Sequence, residues 1–160
     1  MNICELIDSE RISCNAHEKS KKRALEHASK LLASSTPNLT SEEIFNSLIE
    51  RERLGSTGVG HGVALPHGRL HGREQAVAAF IKLEQAVDYD SIDNEPVDLL
   101  YALLVPDHFT DEHLKIISEL AILFNNADFR QQLRRCENPE EIYQHFSNIP
   151  VSVRTQSTGT

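Results

Sequence analysis

The stretch Arg51 to Gly68, RERLGSTGVGHGVALPHG, is where the chain changes texture. Before it, apolar residues recur at helical spacing. Inside it lie Gly55, Gly58, Gly60, Gly62 and Gly68, five of the chain's seven glycines. Its apolar centre, Val63-Ala64-Leu65, reads as a short strand between a glycine-rich loop and a sharp turn at Pro66-His67-Gly68. Proline fixes the backbone before the imidazole and glycine frees it afterwards, so His67 is presented at a strand end.

Upstream, Ala24, Leu25, Ala28, Leu31 and Leu32 predict an amphipathic helix from Ser20 to Ser34. A second helix starts at Thr40, with Glu43 completing a capping box, buries Ile44, Phe45, Leu48 and Ile49, and stops at Gly55. Downstream, Ala76 to Leu83 and Val97 to Val105 read as strands, the second ended by Pro106. Between them Asp93-Asn94-Glu95-Pro96 is turn chemistry. Thr110 caps a helix from Asp111 to Asn125 that points Leu114, Ile117, Leu120, Ala121 and Phe124 inward. Asp128 caps a short helix ending at Arg135, and Asn138-Pro139-Glu140-Glu141 opens the last. Helices, then strands, then helices predict a single-domain α/β (α+β) fold, a mixed β-sheet sandwiched between α-helices around one core. The domain spans 1–150, and 151–160, VSVRTQSTGT, reads as a flexible C-terminal tail.

The 160 residues carry 16 Lys and Arg against 24 Asp and Glu, a net charge of −8. That balance speaks against binding nucleic acid, which needs a basic face. The one basic cluster, Lys19, Lys21, Lys22 and Arg23, reads as solvated helix surface. Cys4, Cys14 and Cys136 are odd in number and form no Cys-x-x-Cys pair, which points to free thiols in a reducing compartment. The first residues are charged where a secretory signal would be apolar, and the longest apolar run, Leu99 to Val105, is too short to span a bilayer. No membrane insertion and a cytoplasmic location are the expectations.

Five of the eight histidines, His61, His67, His71, His108 and His113, fall in or just after loop-like segments. A neutral imidazole is a nitrogen nucleophile, and a histidine beside a phosphate cradle can hold a phosphoryl group covalently. The backbone around Ser56, Thr57 and Gly58 can form such a cradle. His113, at the third position of its helix, sits where free N–H groups and the helix dipole favour an anion, and Arg51 can add a forked cationic contact. The glycine-rich loop matches neither the Walker pattern nor Gly-x-Gly-x-x-Gly, which speaks against a nucleotide. A metal-dependent hydrolase built on His61, His67 and His71 is disfavoured, because Pro66 and Gly68 prevent the helix that would bring His67 and His71 together.

Taken together, REXXGSTGXGXGXAXPHG, the block Ile92-Asp93-Asn94-Glu95-Pro96-Val97-Asp98 with its following strand, and the pair His113-Leu114 resemble the enzyme IIA domains of the fructose–mannitol class of the bacterial phosphotransferase system. The resemblance runs from about residue 3 to residue 147 and is nearest to the nitrogen-related branch. It implies a type-2 IIA fold and a phosphocarrier in which His67 accepts a phosphoryl group, as a tele-phosphohistidine, from an HPr-like carrier. Arg51 and His113 would line the site, with Ser56, Thr57 and Gly58 nearby, and no metal or cofactor would be needed. Added phosphoryl charge would then alter docking to regulated partners. The competing implication is a sugar-specific component handing phosphate to a IIB protein.

Overall fold

The computed structural model describes residues 3–70, 75–108 and 111–149. Two long apolar strands form its centre, β5 (Val77–Val87) and β6 (Val97–Pro106). They pair antiparallel from Val77↔Leu104 to Lys82↔Leu99, then shift register to Val87↔Val97. Both are almost continuously apolar along their paired length because both faces of this sheet are covered.

Alternation along the strands divides the interior in two. Ala78 and Phe80 of β5, with Leu99, Tyr101, Leu103 and Val105 of β6, pack beneath α1 (Ile3–Leu6), α4 (Asp111–Phe124), α5 (Ala127–Arg135) and α6 (Pro139–Ser147). Ala79 and Ile81, with Leu100, Ala102 and Leu104, pack against α2 (Lys21–Ala33) and α3 (Ser41–Arg53). The sandwich is as expected, but it holds two apolar clusters separated by the sheet rather than one core. The first is aromatic: Phe80, Tyr101, Phe124 and Phe146 meet pairwise, with Phe80 and Phe146 centroids 5.2 Å apart.

Four short strands complete the sheet. β1 (Ile12–Ala16) pairs parallel with β5, and this strand was not anticipated because its five residues alternate too briefly to register. On the other side of β6, β3 (Val63–Ala64) and β4 (His67–Leu70) pair parallel with it in succession, and β2 (Gly58–Gly60) pairs antiparallel with β3. The glycine-rich segment is thus a hairpin rather than a loop. Its central residues, His61 and Gly62, both hold positive φ, 58° and 78°, as a two-residue hairpin turn requires.

Most helix starts follow the sequence. Ser20, Thr40 and Asn138 accept from the backbone N–H groups of Arg23, Glu43 and Glu141. Two details differ. Asn126, not Asp128, caps α5, accepting from Phe129 N–H at 2.9 Å. In α4 the inward face is His113, Ile116, Leu120, Leu123 and Phe124, so Leu114 points outward and is 62% exposed. Thr110, His71 and the tail 151–160 lie outside the described residues. Among those described, no helix is long and apolar enough to cross a membrane, and no group of three or more His, Cys, Asp or Glu is placed to hold a metal ion.

Candidate functional site

At its C-terminal end β6 is bordered by β4, beyond which no further strand pairs among the described residues. The space between this edge, the last turns of α3 and the first turns of α4 is a depression of about 570 Å³. It is lined by Glu50, Arg51 and Leu54 from α3 and its end, His67 and Arg69 from β4, and His113 and Leu114 from α4, among others.

His67 is the first residue of β4, opposite Leu103 of β6, and the preceding carbonyl, Pro66 O, accepts from Leu103 N–H at 2.9 Å. Pro66-His67-Gly68 is therefore extended and not a sharp turn. Parallel pairing with β6 keeps it straight. Gly68 is needed for a different reason from the one its neighbours imply: a Cβ there would run into Ser47 of α3, so glycine permits the helix to approach the strand.

The His67 ring is oriented from both nitrogens. Nδ1 lies 2.9 Å from the carbonyl oxygen of Leu65, which can only accept, so Nδ1 carries the proton. In the neutral ring Nε2 then keeps its lone pair, and Arg51 Nε donates to it at 3.2 Å. Arg51 Nη1 also donates to Gly55 O at 2.8 Å, which ties the guanidinium to the end of its own helix. Burial holds the His67 pKa below that of a free imidazole, and the Arg51 charge adds to this, against the opposing hydrogen bond to Leu65. The ring is neutral near pH 7 with an unprotonated nitrogen facing the depression's cationic wall.

His113 stands with its ring centroid 5.0 Å from that of His67. Its pKa is pushed down to about 4, first by burial and then by the charges of His67, Arg69 and Arg51. Its Nδ1 is buried and has no hydrogen-bond partner among the described residues. A neutral, buried imidazole at a helix start can orient an anion without competing for the proton of the nucleophile.

Ser56, Thr57 and Gly58 do not serve as an open cradle. The Thr57 hydroxyl donates to Glu52 Oε1, its N–H donates to Glu52 Oε2 at 3.2 Å, the Ser56 hydroxyl donates to Tyr89 O at 3.0 Å, and Gly58 N–H donates to Ser56 Oγ at 3.1 Å. These donors are consumed within the protein, so the segment fastens the end of α3. Glu52 is the hub. Its side chain is 5% exposed, Lys21 Nζ is 2.9 Å away, and Tyr89 donates its hydroxyl at 3.1 Å. Lys21 also lies 4.5 Å above the Tyr89 ring.

By its place in the charged run Glu50-Arg51-Glu52-Arg53, Glu52 reads as solvated surface. The missed signal is that it continues the buried Ile44–Leu48 stripe four residues on, so its carboxylate is folded inward. His61 lies away from this depression: its N–H donates to Asp93 and its carbonyl accepts from Arg134, which clamps Asp98 through two bonds of 2.9 Å.

The structure is thus a helix-flanked mixed sheet that presents a tautomer-fixed histidine beside an arginine and a second histidine. Residues 5–149 match the family described as phosphoenolpyruvate-dependent sugar phosphotransferase system, EIIA 2, and the chain belongs to that family. It is a IIA component of a phosphotransferase system. Within the family it is similar to the nitrogen regulatory protein of Pseudomonas aeruginosa, 41% identical over 140 residues that cover 88% of this chain and 91% of the relative. A fructose-specific EIIA component of Haloferax volcanii is 28% identical over 148 residues, covering 92% and 96%. Among solved structures, the nitrogen regulatory protein IIA-Ntr of Neisseria meningitidis superposes with a TM-score of 0.84 at 40% identity, covering 90% of this chain and 98% of that one. The mannitol IIA of Escherichia coli, solved in complex with phosphorylated IIB, shares the fold at a TM-score of 0.74 and 17% identity, covering 89% and 97%.

Proposed function

We propose that this protein is the IIA phosphocarrier of a nitrogen-regulatory phosphotransferase branch, accepting a phosphoryl group on Nε2 of His67 from an HPr-like carrier. The observation that carries the reading is the pairing of Leu65 O with Nδ1 and Arg51 with Nε2, which leaves one nitrogen of one histidine nucleophilic and next to a cation. In the transfer, the Nε2 lone pair forms the new N–P bond as the donor's P–N bond breaks, and that electron pair returns to the donor's imidazole. Catalysis consists of alignment and of neutralising the three oxygens in transit. Arg51 supplies charge; His113, held neutral, supplies a hydrogen-bonding edge 5.0 Å away, centroid to centroid.

Leu54 and Leu114, 84% and 62% exposed, flank the depression and form an apolar rim on which a carrier protein can seat. The regulatory reading rests on the higher identity to nitrogen regulatory relatives than to the fructose-specific one. In it, a phosphoryl group adding roughly −1.5 to −2 charges changes which partner docks on this rim.

The test is intact-mass analysis after incubation with phosphoenolpyruvate, enzyme I and an HPr-like carrier, at alkaline pH where phosphohistidine survives. One added phosphoryl group on wild type and none on His67→Ala is the expected result. Equal labelling of both would overturn the assignment. Adding a IIB protein afterwards decides between branches: efficient onward transfer would identify a sugar-specific component.

A further inference from the structure

Arg69 has no part in the reading above, yet it lies in the same depression. Residues two apart on a strand project to the same face, so His67 and Arg69 rise side by side from β4, roughly 6.6 Å apart along the chain. They face the side on which their β6 partners Leu103 and Val105 lie against the α4 cluster. Gly68 between them turns the other way, towards Ser47. The backbone of Arg69 is fixed by pairing with Val105 and by the Ser47 hydroxyl, which donates to Arg69 O at 3.1 Å. Its side chain is exposed, and among the described residues its guanidinium makes no ion pair or hydrogen bond. The charge is nonetheless felt by both rings, lowering the pKa of His67 and of His113. The one carboxylate lining the depression, the exposed Glu50, is not paired with it.

Counting donors shows why a second cation matters. Arg51 spends Nε on His67 Nε2 and Nη1 on Gly55 O, two of its five N–H groups, which ties the guanidinium to the end of α3. A phosphoryl group on Nε2 takes up the lone pair that Arg51 Nε was binding and places about two negative charges against neutral, buried His113. Held at that end, Arg51 faces the phosphoryl group from the helix side, which leaves the strand side to another donor. Arg69 approaches from the strand, on the side of His67 away from α3's last turn, with all five N–H donors available.

We propose that Arg69 is a second phosphoryl-binding residue, closing on the outer oxygens of the phosphoryl group carried by His67 while Arg51 holds it from the helix side. This rests on His67 being the acceptor. Once the group is in place the two guanidiniums form a clamp across β4 and α3, and Arg69 also draws the incoming anion toward Nε2 before the bond forms.

The experiment uses phosphoramidate in place of a carrier protein, so that donor docking plays no role. The Nε2 lone pair forms the N–P bond while the P–N bond of phosphoramidate breaks and ammonia leaves. Wild type, Arg69→Gln, Arg69→Lys and, as a charge control on the exposed face of α3, Arg53→Gln are compared by rate of phosphorylation and by 31P NMR titration of the attached group. Arg69→Gln is expected to slow phosphorylation about tenfold and to raise the pKa of the phosphoryl group, while Arg69→Lys stays within about threefold of wild type and Arg53→Gln is unchanged. Rates and titration curves of Arg69→Gln equal to wild type would overturn the proposal and leave the His67 assignment standing. A loss that lysine does not restore would overturn it too, since the cause would then be packing and not charge. Failure of wild type to take up phosphate would instead remove the His67 reading on which it stands.

Discussion

Arg51 and His67 come from different elements, the last turn of α3 and the first residue of β4, and meet at 3.2 Å between Nε and Nε2. The contact is possible because Gly68 lets α3 approach the strand and because Gly55 O holds the far side of the guanidinium. A cation therefore sits on the lone pair that attacks phosphorus in the proposed reaction, and it does so in the resting protein. Burial first, and the arginine's charge with it, keeps the ring unprotonated, and the guanidinium already stands where the proposed phosphoryl group would arrive.

Replacing Arg51 by alanine removes that charge and its anchor together. Phosphoryl transfer from the HPr-like carrier should slow by about 10²-fold, the usual cost of one preorganised donor at a developing anion. The NMR-titrated pKa of His67 should rise, because the guanidinium lowers it. Quenched-flow labelling and imidazole NMR read the two effects separately.

The tautomer makes a prediction of its own. Nitrogen-detected NMR of unphosphorylated protein near neutral pH should show His67 protonated at Nδ1, where the Leu65 carbonyl lies 2.9 Å away. After labelling, phosphorus coupling should appear at Nε2. Coupling at Nδ1 would mean that the ring turns over before reaction.

His113 links the site to stability. Its pKa falls from an ordinary 6.5 to about 4 in the folded chain. The unfolded chain thus binds a proton more readily between these values, and stability drops as pH falls through that window. The full effect is at most about 3 kcal/mol, present above pH 6.5 and lost near pH 4. Urea midpoints of His113→Gln should lose less over the same range than those of wild type. Identical slopes would show that the imidazole is not held neutral by the fold.

Glu52 joins Lys21, Thr57 and Tyr89 in a buried network behind the site. Glu52→Ala should cost roughly 3 kcal/mol, since it strands a lysine charge and two hydroxyls, whereas Thr57→Val should cost about 1 kcal/mol. If the two variants unfolded at the same denaturant concentration, the carboxylate would not be the hub.

Gly68→Ala should destabilise by about 1–3 kcal/mol through collision with Ser47, and Ser47→Ala in the same chain should recover part of the loss by removing the hydroxyl. Chemical denaturation of the two single variants and the double variant measures that coupling.

Local chemistry settled much of this protein before any contact formed. Helix starts at Ser20, Thr40 and Asn138 depend on one side chain and a backbone N–H three residues later, so sequence spacing alone fixes them. The apolar runs of β5 and β6 read as strands, and the pattern from Arg51 to Gly68, joined with the pair His113-Leu114, was specific enough to mark His67, Arg51 and His113 as one group. What the sequence did not decide were matters of which side faces which neighbour. Glu52 turned inward because α3 docks through Ile44 and Leu48, and Leu114 turned outward because Ile116 and Leu120 took the core. The loop donors went to Glu52 and Tyr89, residues 5 and 33 positions away in the chain from Thr57 and Ser56. Arg69 joined the site only when β4 ran straight beside β6. Each of these follows from packing across the sheet, where distances between residues remote in sequence are set, and no local spacing carries that information.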